Sequence, residues 1–123
     1  MKLLFSNAIY VTTSFVGYHN WPDAPIEVEF LRTTHRHLFK VLAELEVRHQ
    51  DRDLEFFLVK RALECYLKRD FHEKNLGSDS CETIAQEIAE FLHSRYSDRV
   101  RMVEVSEDGE NGARVWAVPL ALM

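Results

Sequence analysis

The sequence has few residues that break regular structure, and it lacks long apolar runs. Its 123 residues include only 4 glycines and 3 prolines, with no internal repeat or low-complexity tract. No stretch approaches the about 20 apolar residues that a membrane-spanning helix requires. The apolar start over 1–5 is too short for a signal sequence. These absences argue against repeat and membrane-spanning proteins and indicate one globular domain over 1–123.

Cysteine and concentrated positive charge are also scarce. The two cysteines, Cys65 and Cys81, have neither metal-binding nor redox spacing, so we expect a reduced, cytoplasmic protein. The net charge is −5 with a pI near 5.6, and Lys and Arg nowhere form a basic cluster. Because a nucleic-acid backbone selects a basic protein face, we expect no nucleic-acid partner, and the missing apolar runs predict no membrane partner.

Three histidines at the ends of strand-like runs stand out against this background. His35 and His37 begin an alternating apolar run, and side chains at i and i+2 of a strand share one face. His19 ends an upstream run rich in β-branched and aromatic residues, and it could complete a facial set. Three neutral imidazoles with one open position are the ligand set of a catalytic zinc ion. The alternative is that these histidines only hydrogen-bond to backbone.

Hydrophobic periodicity predicts four strands and two helices. They are an extended run over 3–19, a strand over 35–50, amphipathic helices over 54–69 and 81–96, and strands over 100–105 and 113–120. This order predicts an α+β fold, in which the helices lie between strands two and three and pack on one face of a four-stranded antiparallel sheet. Such a sheet has exposed edges unless another subunit completes it.

Local signals predict how each helix begins and which side it buries. Asp53 is the predicted N-cap of the first helix, and Ser80 is the predicted N-cap of the second. In the first helix, one apolar stripe consists of Phe57, Ala62, Cys65 and Tyr66, with Leu54, Leu58 and Leu63 near it. We therefore expect this stripe to be the buried side of the helix.

Four motifs follow one another along the chain in a recognisable order. They are a His after a Phe-containing strand (15–19), a His-x-His strand (35–37), a Ser-Cys-Glu helix start (80–82) and an apolar-x-Glu strand end (105–107). Together they resemble the 6-pyruvoyl-tetrahydropterin synthase and 6-carboxy-tetrahydropterin synthase family, which has the tunnelling fold. The resemblance covers most of the chain, and the family's element order is the predicted one.

The resemblance implies a zinc-dependent lyase that acts on a reduced pterin triphosphate or a related purine-derived substrate. Zinc would bind His19, His35 and His37 and act as a Lewis acid on the substrate. Glu107 would accept two N–H bonds from the 2-amino-pyrimidinone edge of the pterin, and Glu82 would accompany it. Without the resemblance, the alternative is that Glu107 is a solvated carboxylate in a turn and that Glu82 only interacts with the dipole of the helix it begins.

The chain departs from the family pattern in the residues that would move protons. The usual cysteine before His-x-His is absent, because 20–34 contains none. Glu29 stands where some members carry that cysteine, and a carboxylate whose pKa is raised by burial can abstract a proton. The alternative is that Glu29 is an exposed loop acid. Asp70 and His72 resemble the family's Asp-His pair but have an inserted Phe between them, so His72 either relays protons or is only a polar loop residue.

Three functions remain open at this point. The first is the zinc-dependent lyase, and the second is a non-catalytic protein on the same scaffold that binds zinc and a pterin or nucleotide base. The third is a structural α+β protein whose histidines are incidental. For the first two, the resemblance implies a homohexamer whose sheets close into barrels, with active sites between subunits. The sequence does not choose between folate-like cofactors and 7-deazaguanine biosynthesis as the pathway.

Overall fold

Five strands and two α-helices make up the computed structural model, which describes residues 1–120. They are β1 (Asn7–His19), β2 (His35–Val47), α1 (Phe56–Asp70), β3 (Lys74–Asn75), α2 (Cys81–Tyr96), β4 (Val100–Glu107) and β5 (Asn111–Trp116). Short 3-10 helices, Ile26–Arg32 and Ser97–Arg99, lie in two connections. Among the described helices, none is long and apolar enough to cross a lipid bilayer. The single-domain prediction also includes 121–123, which lie outside the described residues.

The strands form one mixed sheet in the order β3-β1-β2-β4-β5. The four long strands pair antiparallel, and β3 pairs parallel to β1. The predicted α+β class and its four antiparallel strands are therefore confirmed. The prediction missed β3, because a strand of 2 residues carries no alternating pattern that a sequence can show.

The core lies between the helices and one face of the sheet. Along β2, alternate side chains from Phe39 to Leu45 are at most 2% exposed, whereas Lys40 on the other face is exposed. The helices contribute one stripe each, consisting of Val59, Leu63 and Leu67 from α1 and Ile84, Ala85, Ile88 and Leu92 from α2. Every second side chain of the strands and one side of each helix therefore pack together in a single apolar layer.

The predicted apolar stripe of α1 is correct only in part, because Tyr66 packs against the core but the fully buried side is centred on Leu63, which the prediction places beside the stripe. Phe57 is 62% exposed and Cys65 is also exposed, whereas Val59, Leu63 and Leu67 are buried. The three buried residues are each four positions apart and therefore lie above one another on one face. Apolar residues occur on more than one side of this helix, and packing against β1 selects the aliphatic side.

Of the two predicted N-caps, the one of α1 is wrong and the one of α2 is correct. Glu55, and not Asp53, caps α1, because its carboxylate accepts backbone N–H groups of the first turn. Asp53 instead accepts the backbone N–H of Arg48 at 2.8 Å and the guanidinium of Arg99 at 2.6 Å, which ties β2 to the start of β4. Ser80 caps α2 as predicted.

Candidate metal centre

Three strand ends meet at one end of the sheet and bring four polar side chains together. β1 ends at His19, which lies directly opposite His35, the first residue of β2. β4 ends at Glu107, which pairs with Phe39 of β2. His35, His37 and Phe39 share the inward face of β2, because strand side chains alternate. Strand register alone therefore gathers the histidine–glutamate cluster, which consists of His19, His35, His37 and Glu107.

The cluster has the dimensions of a site for a single metal ion. One potential ligand atom from each residue lies within 4.8 Å of all the others. Glu107 Oε2 is 2.8 Å from His19 Nε2 and 3.2 Å from His37 Nε2. In a tetrahedral site with bonds of roughly 2.0–2.1 Å, neighbouring ligand atoms are about 3.3 Å apart. Small adjustments of the side chains would therefore place all four atoms around one ion, and the cluster can bind a metal.

The hydrogen bonds of the histidines decide which ring nitrogen faces the centre. His19 Nδ1 donates to the carbonyl oxygen of Asp79 at 2.9 Å, and His35 Nδ1 donates to that of Thr33 at 2.8 Å. Because a carbonyl only accepts, each Nδ1 carries a proton, and in the neutral ring the lone pair is on Nε2. The Nε2 atoms of all three cluster histidines are buried and have no hydrogen-bond partner among the described residues. Buried lone pairs without partners are costly, and a cation would satisfy them.

His37 is held by a carboxylate, which the sequence analysis did not find. Its Nδ1 donates to Asp108 Oδ2 at 2.8 Å, and Asp108 Oδ1 accepts the backbone N–H of Leu38 at 3.0 Å. The bond from His37, followed by that from Leu38, holds the pKa of Asp108 below its ordinary 3.8. A carboxylate behind a metal-binding histidine fixes its tautomer and strengthens it as a donor. The sequence offers one signal for it, since Asp108 directly follows Glu107 in an acidic, glycine-containing connection between two predicted strands.

A cavity of about 450 Å³ opens beside the cluster, which is a volume typical of small-molecule sites. Trp21 and Leu31 form an apolar part of its wall, and Cys81 and Glu82 bring the start of α2 to it. His19, His35 and Glu107 of the cluster also face this space. The cavity therefore places a candidate metal site, a carboxylate and an aromatic surface around one small volume.

Solved structures provide the comparison with known proteins, since no family model and no curated protein matches the chain. An uncharacterised protein from Wolinella succinogenes matches with a TM-score of 0.78 at 16% identity, over 92% of this chain and 99% of its own. The 6-pyruvoyl tetrahydropterin synthase of Caenorhabditis elegans matches with a TM-score of 0.74 at 14% identity, over 96% and 100%. This chain has the fold of the 6-pyruvoyl tetrahydropterin synthases.

A third match concerns a catalytic residue of a synthase. A variant of the Plasmodium vivax 6-pyruvoyltetrahydropterin synthase, whose catalytic glutamate is changed to cysteine, matches with a TM-score of 0.63. It is 15% identical, over 90% of this chain and 97% of its own. At such identities the likeness shows the fold alone. The predicted resemblance to the synthases is therefore confirmed for the fold. The chemistry depends on the side chains at the site.

Within the synthase fold, Cys81 does not stand in for the missing cysteine. Its thiol lines the cavity, but burial, together with the carboxylates of Glu107 and Glu82, raises its pKa to about 12. A thiol with that pKa stays neutral at physiological pH and is a poor base. Cys81 therefore contributes volume and a weak hydrogen-bond donor to the cavity wall.

The residues predicted to move protons lie away from the cavity within one chain. Glu29 is exposed on the 3-10 helix Ile26–Arg32 and does not line the cavity. Asp70 ends α1 and pairs with the guanidinium of the adjacent Arg69 at 3.0 Å, which lowers the pKa of Asp70. Of the predicted site residues outside the cluster, the structure brings only Glu82 to the cavity.

His72 is held in the opposite tautomer to the cluster histidines. Its Nδ1 accepts the backbone N–H of Val16 at 3.2 Å, so its proton sits on Nε2. Nε2 lies 3.8 Å from a carboxylate oxygen of Glu73, near the surface. The structure therefore anchors His72 against β1 and leaves one N–H that could donate a proton to a group outside this chain.

Proposed function

We propose that this protein is a zinc-dependent lyase of the 6-pyruvoyl/6-carboxy-tetrahydropterin synthase type, acting on a reduced pterin or a related purine-derived compound. One observation carries the proposal, namely that three buried Nε2 atoms without hydrogen-bond partners converge beside a cavity of about 450 Å³, which His19 and His35 line. The fold alone would not suffice, because one fold hosts many functions. A site with this donor set inside the synthase fold supports a synthase-like reaction.

His19, His35 and His37 would hold the ion. Zinc suits them, because imidazole nitrogens are ligands that zinc prefers and the Nδ1 hydrogen bonds leave Nε2 of each ring to face the centre. Bound zinc would supply Lewis-acid chemistry that makes a C–H beside a polarised oxygen more acidic. The chain contributes the fixed orientation of the three rings, which Asp79, Thr33 and Asp108 secure from behind.

The cavity wall offers the contacts that a pterin ring requires. A carboxylate can accept two parallel N–H bonds from a 2-amino-pyrimidinone edge, and both Glu82 and Glu107 line the cavity. Trp21 and Leu31 provide apolar surface for the flat ring. These contacts would orient the hydroxylated side chain of the substrate toward the histidines.

Proton transfer would require residues that one chain alone does not bring to the cavity. We propose that a homo-oligomer in the cytoplasm forms sites between subunits, in which Glu29, or Asp70 with His72, faces a neighbouring cavity. The Plasmodium vivax relative supports Glu29 in this role, because its catalytic residue is a glutamate. The exposed position of Glu29 leaves it free to make such a contact.

Turnover of a reduced pterin triphosphate, compared between Glu29→Gln and wild type, tests the enzyme. We expect Glu29→Gln to abolish turnover while ligand affinity stays, because Gln keeps the shape but cannot take a proton. Glu27→Gln is the matched control, since Glu27 is a second exposed acid in the same 3-10 helix. Failure of the zinc-loaded wild type to consume any pterin substrate would contradict the proposal.

The placement of Glu29, Asp70 and His72 outside the cavity also favours a second candidate. In it, the protein binds zinc and a pterin or nucleotide base without converting it. This candidate predicts saturable pterin binding with no product from either the wild type or Glu29→Gln, whereas the enzyme predicts a product from the wild type. The same assay therefore separates the two functions.

A further inference from the structure

Glu107 lies closer to the histidines than the binding of a ring edge requires. Its Oε2 atom is 2.8 Å from His19 Nε2 and 3.2 Å from His37 Nε2. The side chain is only 27% exposed, so water does not fully solvate this carboxylate. One of its oxygens therefore faces the metal-binding nitrogens directly.

Two atoms that both carry lone pairs repel each other at such a distance unless a proton or a cation lies between them. The proton of His19 is on Nδ1, which donates to the Asp79 carbonyl, and the proton of His37 is on Nδ1, which donates to Asp108. With neutral rings these Nε2 atoms have no hydrogen-bond partner, and they form ion pairs with Glu107 only if a ring takes a second proton. A metal ion held by the four convergent ligand atoms accounts for the close approach without a second proton on either ring.

We propose that Glu107 is the fourth protein ligand of the metal, so that the ligand-free protein holds a closed site of three histidines and one glutamate. The inference rests on the proposed function, because it concerns the same ion. Catalytic zinc sites usually have three protein ligands and an open position, whereas sites with four protein ligands are closed. Glu107 would have to leave the ion before another ligand could take its place.

This arrangement gives Glu107 a regulatory role at its own site. The carboxylate lines the cavity, so the N–H groups of a bound ring can compete for it. A molecule without such an N–H edge would leave Glu107 on the ion and the site closed. Selectivity would then come from the displacement of Glu107, in addition to the fit of the cavity.

Cobalt(II) substitution tests the inference without any assay of activity, because visible absorption reports coordination number. In the wild type we expect the intense bands of four-coordinate cobalt, unchanged by added azide. In Glu107→Gln we expect weaker ligation, a spectrum that azide changes in a saturable way, and zinc affinity lower by roughly 10- to 100-fold or more. Glu110→Gln is the control, since Glu110 is an exposed carboxylate in the same hairpin.

The outcomes separate this inference from the proposed function. Equal zinc affinity and an equal azide response in wild type and Glu107→Gln would overturn the role of Glu107, while the three-histidine site and the lyase proposal would stand. A closed wild-type spectrum that opens in Glu107→Gln, in a protein that consumes no pterin, would support the inference and contradict the lyase. Circular dichroism of both variants shows that any loss of metal is not due to unfolding.

Discussion

Among single residues, Asp108 shows how much of the candidate centre depends on groups behind the ligands. Its φ of 58° lies in the left-handed region, which Asp tolerates better than most residues. In this turn its carboxylate reaches both the ring of His37 and the backbone of Leu38. A residue in a sparsely populated conformation thus orients a candidate ligand, as is common at functional sites.

Asp108→Asn should weaken metal binding without unfolding the protein. The neutral amide is a weaker acceptor for His37 Nδ1, so we expect zinc affinity to fall about 10- to 100-fold. Competition with a chromogenic chelator measures the dissociation constant. Wild-type affinity in Asp108→Asn would mean that His37 does not need this partner, or that it is not a ligand.

The sequence predicts the histidine ligands better than it predicts their partners. His35 and His37 are predicted from strand alternation, His19 from its place at the end of an upstream strand-like run, and Glu107 from the family resemblance. Their binding of a metal or a substrate stays a prediction. The carbonyls of Asp79 and Thr33 were not found, because every residue has a carbonyl and only the folded loops bring these two to a ring. Backbone partners carry no residue-type signal and therefore stay invisible in a sequence.

At the scale of elements, the strands were easier to predict than the buried face of α1. The alternation of apolar and polar residues in β2 fixes which side chains are buried, since a shift by one residue would place every apolar side chain on the wrong face. The helix α1 has apolar residues on several sides, and the aromatic ones at its start are exposed. Which side is buried depends on the shape of the sheet, which local sequence does not specify.

Truncation of two apolar side chains of α1 checks the buried face. Leu63→Ala should lower the free energy of unfolding by about 2–5 kcal/mol, because Leu63 is fully buried and a cavity would remain. Phe57→Ala should change it by less than about 0.5 kcal/mol, because Phe57 is largely exposed. Urea denaturation measures both values, and the reverse ranking would contradict the buried face formed by Val59, Leu63 and Leu67.

The contact of Asp53 with Arg48 and Arg99 should make stability depend on pH. The backbone N–H of Arg48 and then the guanidinium of Arg99 hold the pKa of Asp53 below 3.8. A lowered pKa in the folded state means that the stabilisation is complete above 3.8 and is lost as pH falls through the folded value. We therefore expect Asp53→Asn to lower Tm at neutral pH, with a difference from wild type that shrinks below pH 3.8.

Thermal unfolding at several pH values measures this effect. Asp51→Asn is the control, because Asp51 is 86% exposed in its pair with Arg52 and such pairs contribute little. A Tm difference for Asp53→Asn that stays constant through the acid range would show that the carboxylate charge is not what stabilises the junction.

At the scale of the whole molecule, no helix among residues 1–120 covers the outer face of the sheet, and its two edge strands have no further strand partner among those residues. Tyr10 and Trp116 are 67% and 62% exposed. β3 and β5 form the edges of the sheet. Exposed aromatic side chains and unpaired strand edges are features of surfaces that meet another subunit. The homohexamer and its barrel stay predictions, and they would also bring Glu29 and His72 to a cavity.

The metal content of the purified protein tests the central claim most directly. We expect about one zinc ion per chain in the wild type, because the cluster has the dimensions of a single site. Elemental mass spectrometry measures this ratio. The double variant His35→Ala/His37→Ala should carry almost none while remaining folded. The control His49→Ala/His93→Ala should keep its zinc. A wild type without affinity for zinc, or a His35→Ala/His37→Ala protein that retains it, would contradict the account.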